Sequence, residues 1–151
     1  MQLFDCTLRD GGNVLGNGFP ADLTVMMIDG LIRNGIRFIE YGNASGMGAY
    51  EGDGKSAPLT DAEYLDLAAP FLGKAELGMF VGVKHATEPN VALAAEKGLD
   101  FLRIGANAGD GEKAREGIGL VKKHGLTACF SLMKAYVLPP DALADEARRL
   151  E

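Results

Sequence analysis

The chain has 151 residues, 47% hydrophobic and 24% charged, with a formal net charge of −6, enough for one domain with a packed core but short for two. An acidic chain with no basic stripe lacks the footprint of a protein that grips phosphate backbones, which excludes nucleic acid as an expected partner. No apolar run approaches the roughly 18–20 residues needed to span a bilayer, and MQLFDCTLRD lacks a basic segment ahead of a long apolar one, so neither a membrane nor a secretory leader is expected.

In chain order, an apolar run at 2–8 predicts a first strand, and residues 22–34 a helix with Leu23, Met27 and Leu31 on one side. A second strand is expected over 36–42. The glycine-rich stretch GNASGMGAYEGDGKSAPL at 42–59 reads as a long irregular loop placed to cover a site. Thr60-Asp61-Ala62-Glu63 is a capping box, opening a helix with Leu65, Ala68 and Leu72 on one face. A third strand follows over 75–83, then a helix opened by Thr87 and Pro89, and a fourth strand over 100–105. Asp110 is expected to cap a helix leading to Ile118 and Val121, ahead of a fifth strand over 126–133. Pro139-Pro140-Asp141 starts a last helix with Leu143, Ala147 and Leu150 at its core face. NGIRFIE, KGLDFLR and HGLTACF share one pattern, a glycine that stops a helix before an apolar run, and Gly73 plays the same part.

Strands alternating with helices at this spacing predict right-handed βαβ units and a parallel α/β sheet, one domain over 1–151. A complete (β/α)₈ barrel needs about 250 residues. Two architectures stay open: a small open sheet, or about five of the eight units of a TIM barrel. Cys6 and Cys129, both in strand-like patterns, are expected as buried reduced thiols in a cytoplasmic protein.

The stretch DCTLRDGGN, at the carboxyl end of the first expected strand, carries the chemistry. A carboxylate there can ligate Mg²⁺ or Mn²⁺, and the adjacent guanidinium can clamp a carboxylate or steady a developing enolate. Read on composition alone, it is an exposed ion pair leading into a turn, since Asp-Gly turns are common. GDGKS at 52–56 imitates a phosphate-binding loop, but its first glycine would have to stand at Ala49 and Pro58 follows where a helix should begin, so no nucleotide site is expected.

CTLRDGGN resembles the first-strand signature of the hydroxymethylglutaryl-CoA lyase-like (DRE-TIM) metallolyases. FIEYGN at 38–43, FLRIGAN at 101–107 and LMKAYVLPPDALADEARRLE at 132–151 extend the likeness over essentially the whole chain, closest to the 4-hydroxy-2-oxovalerate aldolases. The resemblance implies reversible carbon–carbon cleavage of a 4-hydroxy-2-oxo acid to pyruvate and an aldehyde. It also implies a divalent metal (Mn²⁺ or Mg²⁺), a homo-oligomer and, in the family, an aldehyde dehydrogenase partner. Asp10 matches the metal-binding aspartate, Arg9 the catalytic arginine that stabilises the enolate, and Glu40 a family glutamate near the site, whose alternative is a buried carboxylate pairing Arg9.

Two departures stand out. Asn13 occupies the position of a family histidine that acts as base, and an amide cannot take up a proton at neutral pH. The other metal ligands of the family, an H-x-H pair, have no match in this chain, and His85 and His124 cannot supply them.

Weaker substrate-contact candidates are Asn43 and Asn107, ending strands two and four, and Lys134 and Tyr136, ending strand five. Lys84 and His85 read as a rim pair closing strand three. Three rival readings follow: an acyl-CoA/2-oxo acid condensing synthase of the same superfamily, a Schiff-base aldolase using Lys134 or Lys84, and a non-catalytic partial barrel. Uncharged ACFSLM at 128–133 would leave an edge open to pairing, so a dimer or larger assembly with the first or fifth strand near the contact is expected.

Overall fold

A computed structural model describes residues 2–52, 54 and 56–150. It runs β1 (Phe4–Asp5), α1 (Thr7–Asp10), a 3₁₀ turn (Gly11–Val14), α2 (Ala21–Arg33), β2 (Phe38–Glu40), α3 (Ala49–Gly52), α4 (Asp61–Asp66) and β3 (Glu76–Gly82). There follow α5 (Glu88–Glu96), β4 (Phe101–Asn107), α6 (Arg115–Lys123), β5 (Thr127–Met133) and α7 (Pro140–Leu150). The strands form one five-stranded sheet in the order β1-β2-β3-β4-β5, each parallel to the next. That order decides between the two architectures. A doubly wound sheet reverses at a switch point, whereas a barrel lays each strand beside the last. The sheet is a curled half-barrel, with β1 and β5 at its two edges.

Side chains alternate between the faces of a strand, so the sheet has two distinct surfaces. Leu77, Met79 and Val81 of β3 and Leu102 and Ile104 of β4 are fully buried on the outer one. They join Ile28 of α2, Leu65 of α4, Val91 and Ala94 of α5 and Val121 of α6 in a single core. On the inner face the register sets Phe4 beside Phe38, Phe80 beside Arg103, and Gly105 beside Ser131. Phe4, Phe38 and Phe101 pack there with ring centroids 4.3 to 5.9 Å apart.

The local signals largely hold. Gly35, Gly73, Gly98 and Gly125 have φ of +86°, +74°, +81° and +80°, the left-handed conformation a helix stop needs. The capping box closes in both directions, Glu63 N–H to Thr60 Oγ1 and Thr60 N–H to Glu63 Oε2.

Several expectations need correction. The first strand is only two residues long: Asp5 accepts hydrogen bonds from the Thr7 amide (3.0 Å) and hydroxyl (3.3 Å), which turns the chain into α1. Arg9 and Asp10 therefore stand on a helical turn just past the strand. In α2 the deepest residues are Thr24 and Ile28, flanked by Leu23, Met27 and Leu31. Thr24 is tolerated there because its hydroxyl bonds Pro20 O at 3.0 Å. Helix α4 ends early, and a 3₁₀ turn (Ala69–Phe71) buries Phe71 and leaves Leu72 exposed. Asp110 precedes a 3₁₀ turn (Gly111–Ala114) and makes no side-chain cap. Cys6 and Cys129 are free but only half-buried. In α7, Ala147 is exposed, and the buried residue is Glu146, whose carboxylate accepts the Gly109 and Gly111 amides at 2.8 and 2.6 Å.

The segment expected as an irregular cover is a packed wall from Tyr41 to Ala49. Met47 N–H bonds Phe80 O at 2.8 Å. Gly46, at φ +92°, lies so close to Phe80 that a Cβ would sit 2.6 Å from its ring. Asp53 and Lys55 of the GDGKS stretch lie outside the described residues. Among the described residues, no helix is long and apolar enough to cross a membrane.

Candidate active site

The carboxyl ends of the strands open on a cleft of about 530 Å³, whose walls include Arg9, Asp10, Ala44, Phe80, Lys84, His85 and Arg103. Beneath it lies Glu40, at the end of β2 and 0% exposed. Its carboxylate accepts Arg9 Nε on Oε1 (2.7 Å), and Arg103 grips it with two bonds, Nε to Oε2 and Nη2 to Oε1, both 2.7 Å. A carboxylate inside a protein is stable only when paired and hydrogen-bonded, and two guanidinium groups meet that need. Arg9 Nη1 in turn donates to Asp10 Oδ1 at 2.7 Å. Both guanidinium carbons lie 5.0 Å from the centroid of the Phe80 ring, a cation–π arrangement.

Glycine is needed at only one of the two positions after Asp10. Gly11 has an ordinary helical φ of −62° and room for a Cβ, whereas a Cβ on Gly12 would meet Gly18 Cα at 2.9 Å. This close approach folds the 12–18 loop back on itself. Phe19 O, at its end, accepts the buried Tyr64 hydroxyl at 2.9 Å, and burial pushes that phenol up to about 12.

The structure brings Arg9, Asp10 and Glu40 together. Glu40 contacts the arginines rather than the open cleft, as the buried-pair alternative expects. Asn13 is exposed and donates from Nδ2 to Asp10 O at 2.8 Å, bracing the turn that carries the carboxylate. Asn43 is buried, and its Oδ1 accepts the Ser45 amide at 2.9 Å, which fixes the wall beside Ala44. Asn107 ends β4, half-buried, and is not among the cleft's wall residues.

Lys134 and Tyr136 lie past the end of β5. Lys134 adopts a left-handed φ of +54° and Tyr136 is 84% exposed, and neither lines the cleft. Lys84 and His85 sit on a 3₁₀ turn after β3 and both line it. His124 is elsewhere, its Nε2 2.7 Å from Glu88 on the outer surface.

Sequence reasoning missed Arg103. Its signal is one long cation inside the otherwise apolar run FLRIGAN. Burial lowers the proton affinity of its guanidinium, and the hydrogen bond and charge of Glu40 outweigh that effect, leaving it above its ordinary value. Cys6 and Cys129 are shifted up, in both cases chiefly by burial, so neither thiol is activated. The cleft wall thus gathers Arg9, Arg103 and Lys84 against Asp10, with Glu40 beneath, in a chain of net charge −6. It suits a small anion.

No family model matches the chain. All 151 residues align at 31% identity with 4-hydroxy-2-oxovalerate aldolase 2 of Nocardia farcinica, over 44% of that protein's length. Over its whole length the chain is similar to the 4-hydroxy-2-oxovalerate aldolases. The aldolase of Moorella thermoacetica is 26% identical over 151 residues, 100% of this chain and 45% of the relative. That of Alkalilimnicola ehrlichii is 28% identical over 147 residues, 97% of this chain and 43% of the relative. The chain spans less than half the length of the aldolases it matches, and the first two matches take in the segments carrying Arg9, Asp10, Glu40 and Arg103.

The donor set bears on a metal. Among the described residues no three His, Cys, Asp or Glu side chains gather as a ligand group. Among the described residues Asp10 brings the one carboxylate in the cleft wall, its Oδ1 already bonded to Arg9, and both Glu40 oxygens are occupied by arginine. The residues present do not by themselves fit a divalent cation.

Proposed function

We propose that this chain carries the enolate-stabilising part of an aldolase that cleaves a 4-hydroxy-2-oxo acid reversibly into pyruvate and an aldehyde. The observation that supports it most is the placement of Arg9 in the wall of an anion-suited cleft, its guanidinium fixed by Glu40 and with Asp10 beside it. As the C3–C4 bond breaks, its electron pair moves into the pyruvyl half and negative charge grows on the C2 oxygen. A fixed guanidinium at that oxygen stabilises the transition state more than the ground state. The 4-hydroxyl must also give up a proton as the aldehyde forms. Asn13 cannot accept it, and we assign that role to His85, the one imidazole in the cleft wall. A divalent cation, Mn²⁺ or Mg²⁺, would take Asp10 as one ligand and draw the others from outside these residues.

The place of β5 at the edge of the sheet among the described residues supports self-association as a further proposal, with an aldehyde dehydrogenase as the hetero-partner and the cytoplasm as the compartment. Lys84 in the wall keeps the Schiff-base route as the rival. The test is pyruvate release from 4-hydroxy-2-oxovalerate by a longer protein that contains this chain, with and without EDTA. Release abolished by Arg9→Ala supports the reading. Release insensitive to Arg9→Ala, or pyruvate trapped on Lys84 by borohydride, overturns it.

A further inference from the structure

We infer that Arg103 is a second substrate-binding cation, forming with Arg9 a two-guanidinium clamp for the carboxylate of the 2-oxo acid, and that Glu40 is the positioning residue that holds both. The inference rests on the aldolase reading for the class of its ligand. It starts from a charge imbalance. One arginine would neutralise Glu40, yet two are bound to it, their side chains only 13% and 17% exposed. The nearest further anion, Asp10, is 63% exposed and shares its charge with water. The buried cluster therefore carries an excess positive charge, which is costly to keep out of water unless an anion joins it.

The donors are arranged for that anion. Arg103 spends Nε and Nη2 on Glu40, while Arg9 spends Nε on Glu40 and Nη1 on Asp10 and Ala44 O. Among the described residues, Nη1 of Arg103 and Nη2 of Arg9 have no protein acceptor, and both side chains line the cleft. A planar carboxylate with two oxygens matches a pair of guanidinium N–H edges. Phe80 keeps the pair from collapsing. Both guanidinium groups rest 5.0 Å from its ring centroid, and the ring is set against Gly105 and Gly46, where any Cβ would come within 2.3 and 2.6 Å of it. A site whose cations are already held in place loses little freedom on binding.

The experiment is a titration of the chain with pyruvate, read on the arginine side-chain Nε–H resonances by NMR. The signals of Arg9 and Arg103 are expected to shift together along one saturation curve. Arg103→Met, shown folded by circular dichroism, is expected to raise the pyruvate dissociation constant about tenfold or more. An Arg103 signal that stays still while that of Arg9 moves, no shift at either, or wild-type affinity in Arg103→Met would each overturn the clamp. The wild-type titration decides even if the variant does not fold. Failure here is separable from failure of the aldolase reading: pyruvate bound by both arginines in a protein without aldolase turnover sinks only the activity. Turnover whose KM is unmoved by Arg103→Met sinks only the clamp.

Discussion

The outer and inner faces of the same five strands are built on opposite rules. Outward, Leu77, Val81, Leu102 and Ile104 meet the helices in a dry apolar layer. Inward, at the alternate positions of the sheet, stand Glu40, Phe80, Arg103 and Gly105, and the aromatic floor of Phe4, Phe38 and Phe101. The outer layer is non-directional and tolerates exchange of one apolar residue for another of similar volume. The inner layer is directional, each charge holding the next at 2.7 Å. Stability resides mainly on one face and specificity on the other.

Substitutions can break or sharpen that contrast. Glu40→Ala leaves two guanidinium groups facing each other without their shared acceptor, and should cost about 4 kcal/mol of folding free energy in denaturant titration. It belongs to the inner layer but is felt as stability, the sharpest challenge to a clean division. Leu102→Ala, on the outer face, should cost about 3 kcal/mol by the same measurement and leave pyruvate affinity unchanged once corrected for the unfolded fraction. Changed affinity would show that the faces are coupled. In a longer protein that contains this chain, Arg9→Ala should lower kcat about a hundredfold, about 2.7 kcal/mol, and should also raise KM, because the same guanidinium holds the substrate carboxylate. Asp10→Asn should instead weaken metal binding, read as a higher Mn²⁺ concentration for half-maximal rate.

The smallest effect is local. Thr60→Ala removes the cap of α4 and should cost about 1 kcal/mol, far from the cleft. The Glu63 carboxyl is held below its ordinary value by its backbone and side-chain hydrogen bonds with Thr60. A depressed carboxyl contributes above its unfolded value and loses the contribution as pH falls through its folded one. The wild-type advantage over Thr60→Ala should therefore shrink below about pH 4, and an advantage constant down to pH 2 would contradict the linkage.

The contrast also explains what the sequence discloses. The outer layer was legible, because apolar periodicity and the stops at Gly35, Gly98 and Gly125 are local signals. Arg9 and Asp10 were legible as a motif, though their strand was not. Leu3, Phe4, Cys6 and Leu8 alternate like a strand, while the Asp5 side chain, bonding Thr7, ends it two residues in. Arg103 was not legible, because its purpose depends on lying across β3 from Glu40, a relation set only by register. Glu146 was hidden for a similar reason. A carboxylate on an amphipathic helix reads as a solvated charge until its partners, the amides of Gly109 and Gly111, are brought 35 or more positions along the chain to meet it. Lys134 and Tyr136 stood at the expected end of a strand, but the left-handed turn at Lys134 carries both away from the cleft wall.

The most direct measurement is a crystal structure of the chain with oxalate, a planar mimic of the pyruvate enolate. Oxalate is expected in the cleft, with one carboxylate bound by Arg9 and Arg103. Oxalate ordered on another surface, with the Arg9–Glu40–Arg103 cluster unoccupied at saturating concentration, would contradict it.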